Sequence, residues 1–174
     1  KVVKRSNFDN RLAHDAAIAS SIEDCNADYV FLAGYMAILG SVFVDQFAGK
    51  LINIHPSLLP AFKGLDTHQR AIDAGVKTHG ASIHLVNGTL DDGPLILQAS
   101  LAVAETDTAK TLADRVLQLE HQIYSFVLFS LAAQNVTLFP DGVIWHLTTL
   151  ASAPADMQKV LASCVIWPEV SSHR

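Results

Sequence analysis

The chain has 174 residues, half of them hydrophobic and only 17% charged, with a formal net charge of -5. Such a composition fits one globular domain with a sizeable core and excludes an intrinsically disordered chain. It supplies no electrostatic reason to expect nucleic acid or an anionic membrane as partner. Two cysteines, Cys25 and Cys164, stand at no metal-ligand spacing and are expected to be buried free thiols, as in a reducing, cytoplasmic setting. No apolar run reaches the roughly 18 residues of a membrane span. The opening residues, Lys1 to Arg5, are not followed by an apolar stretch of signal-peptide length.

In chain order, residues 8–25 read as a helix, with Leu12, Ala16, Ala19 and Ile22 at three- and four-residue steps and Asp9 as a candidate cap. Residues 28–34 form a short apolar run ended by Gly34, which predicts a buried parallel strand. A short helical stretch over 41–47 precedes a second apolar strand, Leu51 to His55, which Pro56 stops. Residues 67–74 predict a helix closed by Gly75, and 79–86 and 94–103 predict two more strands. The longest periodic segment, 108–134, carries an apolar stripe of Leu112, Val116, Leu119, Ile123 and Val127 behind a cap at Thr108 or Asp107. A hairpin is expected around Pro140-Asp141-Gly142, and a helix over 154–164. Alternating helices and uniformly apolar strands predict an α/β fold, a mostly parallel sheet with helices on both faces. Ligands in such sheets bind beyond the carboxyl ends of the strands.

Asn53 and His55 stand two apart at a strand end, so they project to the same side. An amide beside an imidazole supplies a carbonyl-polarising donor and a proton carrier. Asp91, in Leu90-Asp91-Asp92-Gly93-Pro94, offers a carboxylate on a tight turn that would favour the charged ring if the two meet. A buried structural Asn and His, and a plain solvated turn, are the alternatives. His68, His79 and His84 add imidazoles to the same half of the chain, yet no HExxH or paired-cysteine spacing accompanies them, so no metal is expected.

Two runs are more specific than their parts: INIHPSLLPAFKGLDTHQRAIDAG and HGASIHLVNGTLDDGPLILQ. They closely resemble the glycinamide ribonucleotide formyltransferase family, and the resemblance extends from about Phe8 to Trp145. The segment from His55 to Pro60 is shared more widely, with methionyl-tRNA formyltransferases and formyltetrahydrofolate hydrolases. Residues 64–68 and 79–84 point to the glycinamide ribonucleotide branch.

The resemblance implies a three-layer, Rossmann-like fold and transfer of a formyl group from 10-formyltetrahydrofolate to the amine of glycinamide ribonucleotide, in de novo purine synthesis. It implies that Asn53 holds the formyl oxygen, that His55 is the general acid, and that Asp91 keeps the histidine protonated. Folate contacts are implied for Arg11, for Met36, Ala37, Ile38 and Leu39, for Asn53, and for Asn87, Gly88, Thr89, Leu90 and Asp91. Substrate contacts are implied for Leu117, Gln118, Leu119 and Glu120, with Glu120 as partner of the ammonium. Ala37 departs from the arginine expected there, which would remove a polar contact to folate. Family members begin with a strand, a Gly-rich phosphate loop, a helix and a second strand. Nothing of that kind precedes Lys1, so a fragment of a longer protein is expected, with a formyltransferase domain over 1–150 and an unassigned extension over 151–174. Other formyl-folate enzymes and a non-catalytic folate-binding module are the alternative readings. Oligomeric state has no signature in the sequence.

Overall fold

The computed structural model describes residues 1–146 and the backbone of residues 165–166. The elements are α1 (Arg11–Asp24), β1 (Val30–Leu32), α2 (Ser41–Gln46), β2 (Leu51–His55), α3 (Thr67–Asp73), β3 (Thr78–Leu85), β4 (Leu95–Ala102), α4 (Ala109–Ala132), β5 (Val136–Phe139), β6 (Gly142–Trp145) and β7 (Val165–Ile166). One sheet runs β1-β2-β3-β4-β7, and β5 and β6 form a separate hairpin. The helix expected over 154–164 lies outside the described residues, as does Cys164.

Neighbouring residues of β2 face opposite sides, and each side has its own core. Leu51 packs with Ala19 of α1 and with Phe43, Val44 and Phe47 around α2. Ile52 packs with Ala81, Ile83, Leu85, Leu97 and Ala99 against α4. The α4 stripe read from sequence is the buried one: Leu112, Val116, Leu119, Ile123 and Val127 are all interior. Thr108 caps α4 in a reciprocal box with Thr111. The three-layer α/β architecture is therefore as expected.

Strand direction differs from expectation. β1 and β2 run parallel, but β3 pairs antiparallel with β2, β4 with β3, and β7 with β4. The sheet is mixed rather than mostly parallel. β3 is buried on both faces almost throughout, with Ser82 and His84 as deeply buried as Ile83 and Leu85, so its burial pattern does not disclose its direction. The short return from β3 to β4 permits only an antiparallel pair.

Helix α1 also departs from its expected face. Leu12 is 70% exposed, while His14 and Asp15 are buried. The polar pair faces inward because it has partners there: His14 Nε2 meets the Val3 carbonyl at 3.2 Å, and Asp15 Oδ2 accepts from the Gly40 N–H at 3.1 Å. Asn10 rather than Asp9 caps the helix, its side chain accepting from the Ala13 N–H. Cys25, expected to be buried, is exposed at the end of α1.

The antiparallel β2–β3 register aligns Asn53 with His84 and His55 with Ser82, and β4 brings Gln98 beside Ser82. Those five polar side chains share the face opposite α4. Ser82 fastens the loop after β2 to this face. Its hydroxyl donates to the Ser57 carbonyl at 2.6 Å and accepts from the Leu59 N–H at 3.0 Å and from Gln98 Nε2 at 2.8 Å. Gln98 Nε2 also donates to the Leu59 carbonyl. At the start of β3, His79 is buried edge-to-face against His68 of α3, with ring centres 5.3 Å apart.

Ser82→Ala leaves the buried Leu59 N–H unpaired and should cost about 1–3 kcal/mol of stability in urea unfolding. Burial, and then the His68 ring, pushes the His79 imidazole down to about 4. Folded His79 thus stays neutral where the unfolded chain, titrating near 6.5, takes up a proton. Its contribution to stability is complete above about pH 6.5 and is lost as pH falls towards 4. Between pH 7 and 4.5 the wild type should lose about 2 kcal/mol more than His79→Gln; equal pH dependence in the two proteins would contradict this assignment.

Candidate active site

The loop between β3 and β4 folds back over the polar face and delivers Asp91. Two backbone features make that path possible. Gly93 runs so close to the Leu85 carbonyl that a Cβ there would lie 1.8 Å from its oxygen, which excludes any side chain. Asp91 itself has φ 48°, a left-handed conformation that aspartate tolerates better than most residues.

Asp91 is buried and meets two imidazoles. Its Oδ2 lies 3.4 Å from His55 Nδ1, and its Oδ1 lies 3.7 Å from His84 Nε2. Oδ2 also accepts from the Gly64 N–H at 2.9 Å. On the far side of the His55 ring, Nε2 donates to the Phe62 carbonyl at 3.0 Å. Each nitrogen of His55 therefore faces an oxygen, and a proton on either meets an acceptor.

His84 sets the orientation of Asn53. Its Nδ1 lies 2.8 Å from the Leu85 carbonyl, which can only accept, so Nδ1 carries the hydrogen. Burial pushes this imidazole down, outweighing the Leu85 bond and the Asp91 charge that pull it up, so the ring is neutral. Nε2 then offers a lone pair, and Asn53 Nδ2 donates to it at 3.3 Å. The amide is thereby turned with its nitrogen inward, and its second N–H is uncommitted in the hydrogen bonds of the described residues.

The structure thus brings Asn53, His55 and Asp91 together through His84. Around them lie the two loops for which folate contacts are implied. Residues 36–39 follow β1, and Met36 and Ile38 are 77% and 70% exposed. Leu39 packs inward on the same cluster as Val86, so this loop and the one after β3 border the same face. Arg11 reaches the first loop from α1, its Nη1 donating to the Ile38 carbonyl at 3.4 Å. Ala37 is exposed beside them. In the second loop Asn87 accepts from the Thr89 N–H and donates to the Asp92 carbonyl, Gly88 is exposed, and Leu90 projects into solvent.

The α4 residues divide. Leu119 is a core residue, 7% exposed. Leu117 and Gln118 are exposed, whereas Glu120 is half-buried. Burial alone pushes the Glu120 carboxyl up to about 7. One turn further on, on the same flank of the helix, the Tyr124 hydroxyl lies 3.0 Å from the carbonyls of both Leu32 and Ile52. Glu120 accordingly stands on the flank that packs against the β1–β2 edge.

Sequence reading missed three contributors. The Phe62 carbonyl and Gly64 N–H are backbone groups and leave no residue-type signature. The role of His84 had one: Ser82 and His84 repeat on β3 the two-residue spacing of Asn53 and His55 on β2. Among the described residues, no group of three or more His, Cys, Asp or Glu side chains is arranged to hold a metal ion. Among them too, no helix is long and apolar enough to cross a membrane.

A family model described as formyl transferase matches residues 1–128. The phosphoribosylglycinamide formyltransferase of Haemophilus influenzae is 44% identical over 127 residues, which are 73% of this chain and 60% of that protein. The trifunctional purine biosynthetic protein adenosine-3 of Bos taurus is 41% identical over 148 residues, 85% of this chain and 15% of that protein. Among solved structures, the phosphoribosylglycinamide formyltransferase of Coxiella burnetii superposes with a TM-score of 0.77 at 41% identity, over 83% of this chain and 68% of that one. The chain spans about three-fifths of the length of the Haemophilus protein and a much smaller share of the trifunctional one. With more than half its length matched, and with a fold and polar face of this form, the chain belongs to the formyl transferase family.

Proposed function

We propose that this chain provides the folate-binding and catalytic face of an enzyme that moves the formyl group of 10-formyltetrahydrofolate onto the amine of glycinamide ribonucleotide, in the cytoplasm, for purine synthesis. One observation carries the reading: an oriented amide, an imidazole and a buried carboxylate meet on one sheet face, as formyl transfer requires. The similarity to the Haemophilus and Coxiella enzymes supports the choice of acceptor.

The residues present suit the folate. Met36, Ile38 and Leu90 offer exposed apolar side chains for a planar ring, with backbone polar groups between them. When bound, the folate supplies a formyl carbon that an amine attacks, with negative charge developing on the formyl oxygen. The free N–H of Asn53 is the donor for that oxygen; a donor fixed in advance stabilises the developing charge more than the neutral carbonyl. His55 supplies the proton that the departing nitrogen requires, its Nε2 hydrogen passing there from the Phe62 carbonyl, and Asp91 beside Nδ1 holds the ring and balances its charge. Among the described residues no cation pairs with Glu120, burial pushes its carboxyl up to about 7, and an ammonium group placed there would stabilise its ionised form.

Turnover of 10-formyltetrahydrofolate, followed by folate absorbance with and without glycinamide ribonucleotide, tests the reading. The expected result is ribonucleotide-dependent turnover that His55→Ala lowers by about 10²–10³-fold in kcat. Glu120→Gln should raise KM for the ribonucleotide and leave folate binding unchanged. Turnover with water alone would replace the ribonucleotide as acceptor, and folate binding without turnover would reduce the chain to a binding module.

A further inference from the structure

Arg70 lies on α3, exposed and apart from the Asn53, His55 and Asp91 set. One nitrogen of its guanidinium nonetheless holds one short segment. Nη1 donates to the Lys63 carbonyl at 2.6 Å and to the Leu65 carbonyl at 3.2 Å. The guanidinium carbon lies 5.6 Å from the centre of the Phe62 ring. This same segment touches both members of the buried pair. The Phe62 carbonyl accepts from His55 Nε2, and the Gly64 N–H donates to Asp91 Oδ2.

The segment needs such a restraint. Phe62 and Asp66, which bound it, have φ of 54° and 56°, a conformation that aspartate tolerates but that strains a bulky residue such as Phe62. An ion pair between Lys63 and Asp92 ties it to the loop carrying Asp91, but that link joins two loop side chains. Arg70 instead ties it to a helix. The guanidinium holds both carbonyls from one nitrogen while its carbon lies over the Phe62 ring, a reach that the more strongly hydrated ammonium of lysine meets less well.

We propose that Arg70 is a positioning residue for the His55–Asp91 pair: it holds residues 62–65 so that one backbone carbonyl fixes His55 Nε2 and one N–H fixes Asp91 Oδ2. The inference rests on the reading above that His55 and Asp91 act together. Without the guanidinium the segment relaxes from its left-handed residues, the Phe62 carbonyl leaves the ring, and the Nε2 hydrogen opens to water. Arg70 itself bonds to neither loop implied in folate binding, and its segment meets the second of them only at Asp91 and Asp92, so its loss lowers kcat by more than it raises KM for folate.

The test uses nitrogen-15 imidazole spectra of the folded protein without ligands, for wild type, Arg70→Met and Arg70→Lys. The His84 signal, held by the Leu85 carbonyl, is the internal control. The expected result is that the His55 Nε2 hydrogen exchanges with water about tenfold faster in Arg70→Met, with Arg70→Lys between the two and His84 unchanged. In turnover, kcat falls about tenfold with KM for folate within about twofold. Unchanged His55 exchange in folded Arg70→Met overturns the proposal. If that variant does not fold, unchanged exchange in Arg70→Lys overturns it instead. Altered His55 exchange together with full turnover by His55→Ala would leave the positioning role standing and remove the catalytic one.

Discussion

The Asp91 carboxylate is the constraint on which the site depends. It is one buried negative charge set between two imidazoles, with a backbone N–H as third partner. The two rings respond differently because their other nitrogens do. His84 gives its hydrogen to the Leu85 carbonyl and, deeply buried, stays neutral, which frees Nε2 to turn the Asn53 amide. His55 faces the carboxylate on one side and the Phe62 carbonyl on the other, so either nitrogen can carry a hydrogen. A single carboxylate thereby borders both a fixed donor and a proton carrier. Buried polar clusters of this kind specify one geometry when every member is paired and lose it when one is not.

The fold makes that placement rigid by filling the α4 side of the sheet with apolar residues and setting the polar ones beyond Leu51 on the other. One face of β2 and β3 is closed by α4 through Ile52, Ile83 and Leu85, all fully or almost fully buried. The other carries Asn53, His55, Ser82 and His84. Because side chains alternate, the residues that anchor the strands and those that form the site are interleaved one by one. A register slip of one residue would exchange the two sets, placing polar groups in the core, so the apolar packing also fixes the site. The loops carry the remaining parts. Ser82 and Gln98 fasten the segment after β2, and Gly93 lets the β3–β4 loop lie close to the sheet.

Much of this was legible in the residues. The stripe on α4 and the limits of β2 followed from periodicity and from Pro56, because packing there agrees with local preference. The shared face of Asn53 and His55 followed from two-residue spacing alone. Strand direction did not, since a strand buried on both faces reads alike in parallel and antiparallel sheets. The inner face of α1 was misread at Leu12 because its buried positions hold His14 and Asp15, whose hydrogen-bond partners are distant in sequence. Leu119, for which substrate contact is implied, also belongs to the core stripe that the same periodicity identified. Contributions from the Phe62 carbonyl and the Gly64 N–H have no side-chain signature at all.

A double-mutant cycle on kcat for His55→Ala and Asp91→Asn addresses the convergence most directly, because residues acting as one unit do not contribute additively. The account predicts that the double variant is no more than about tenfold slower than the slower single variant. Losses that multiply in full would show that the imidazole and the carboxylate act separately, and would contradict it.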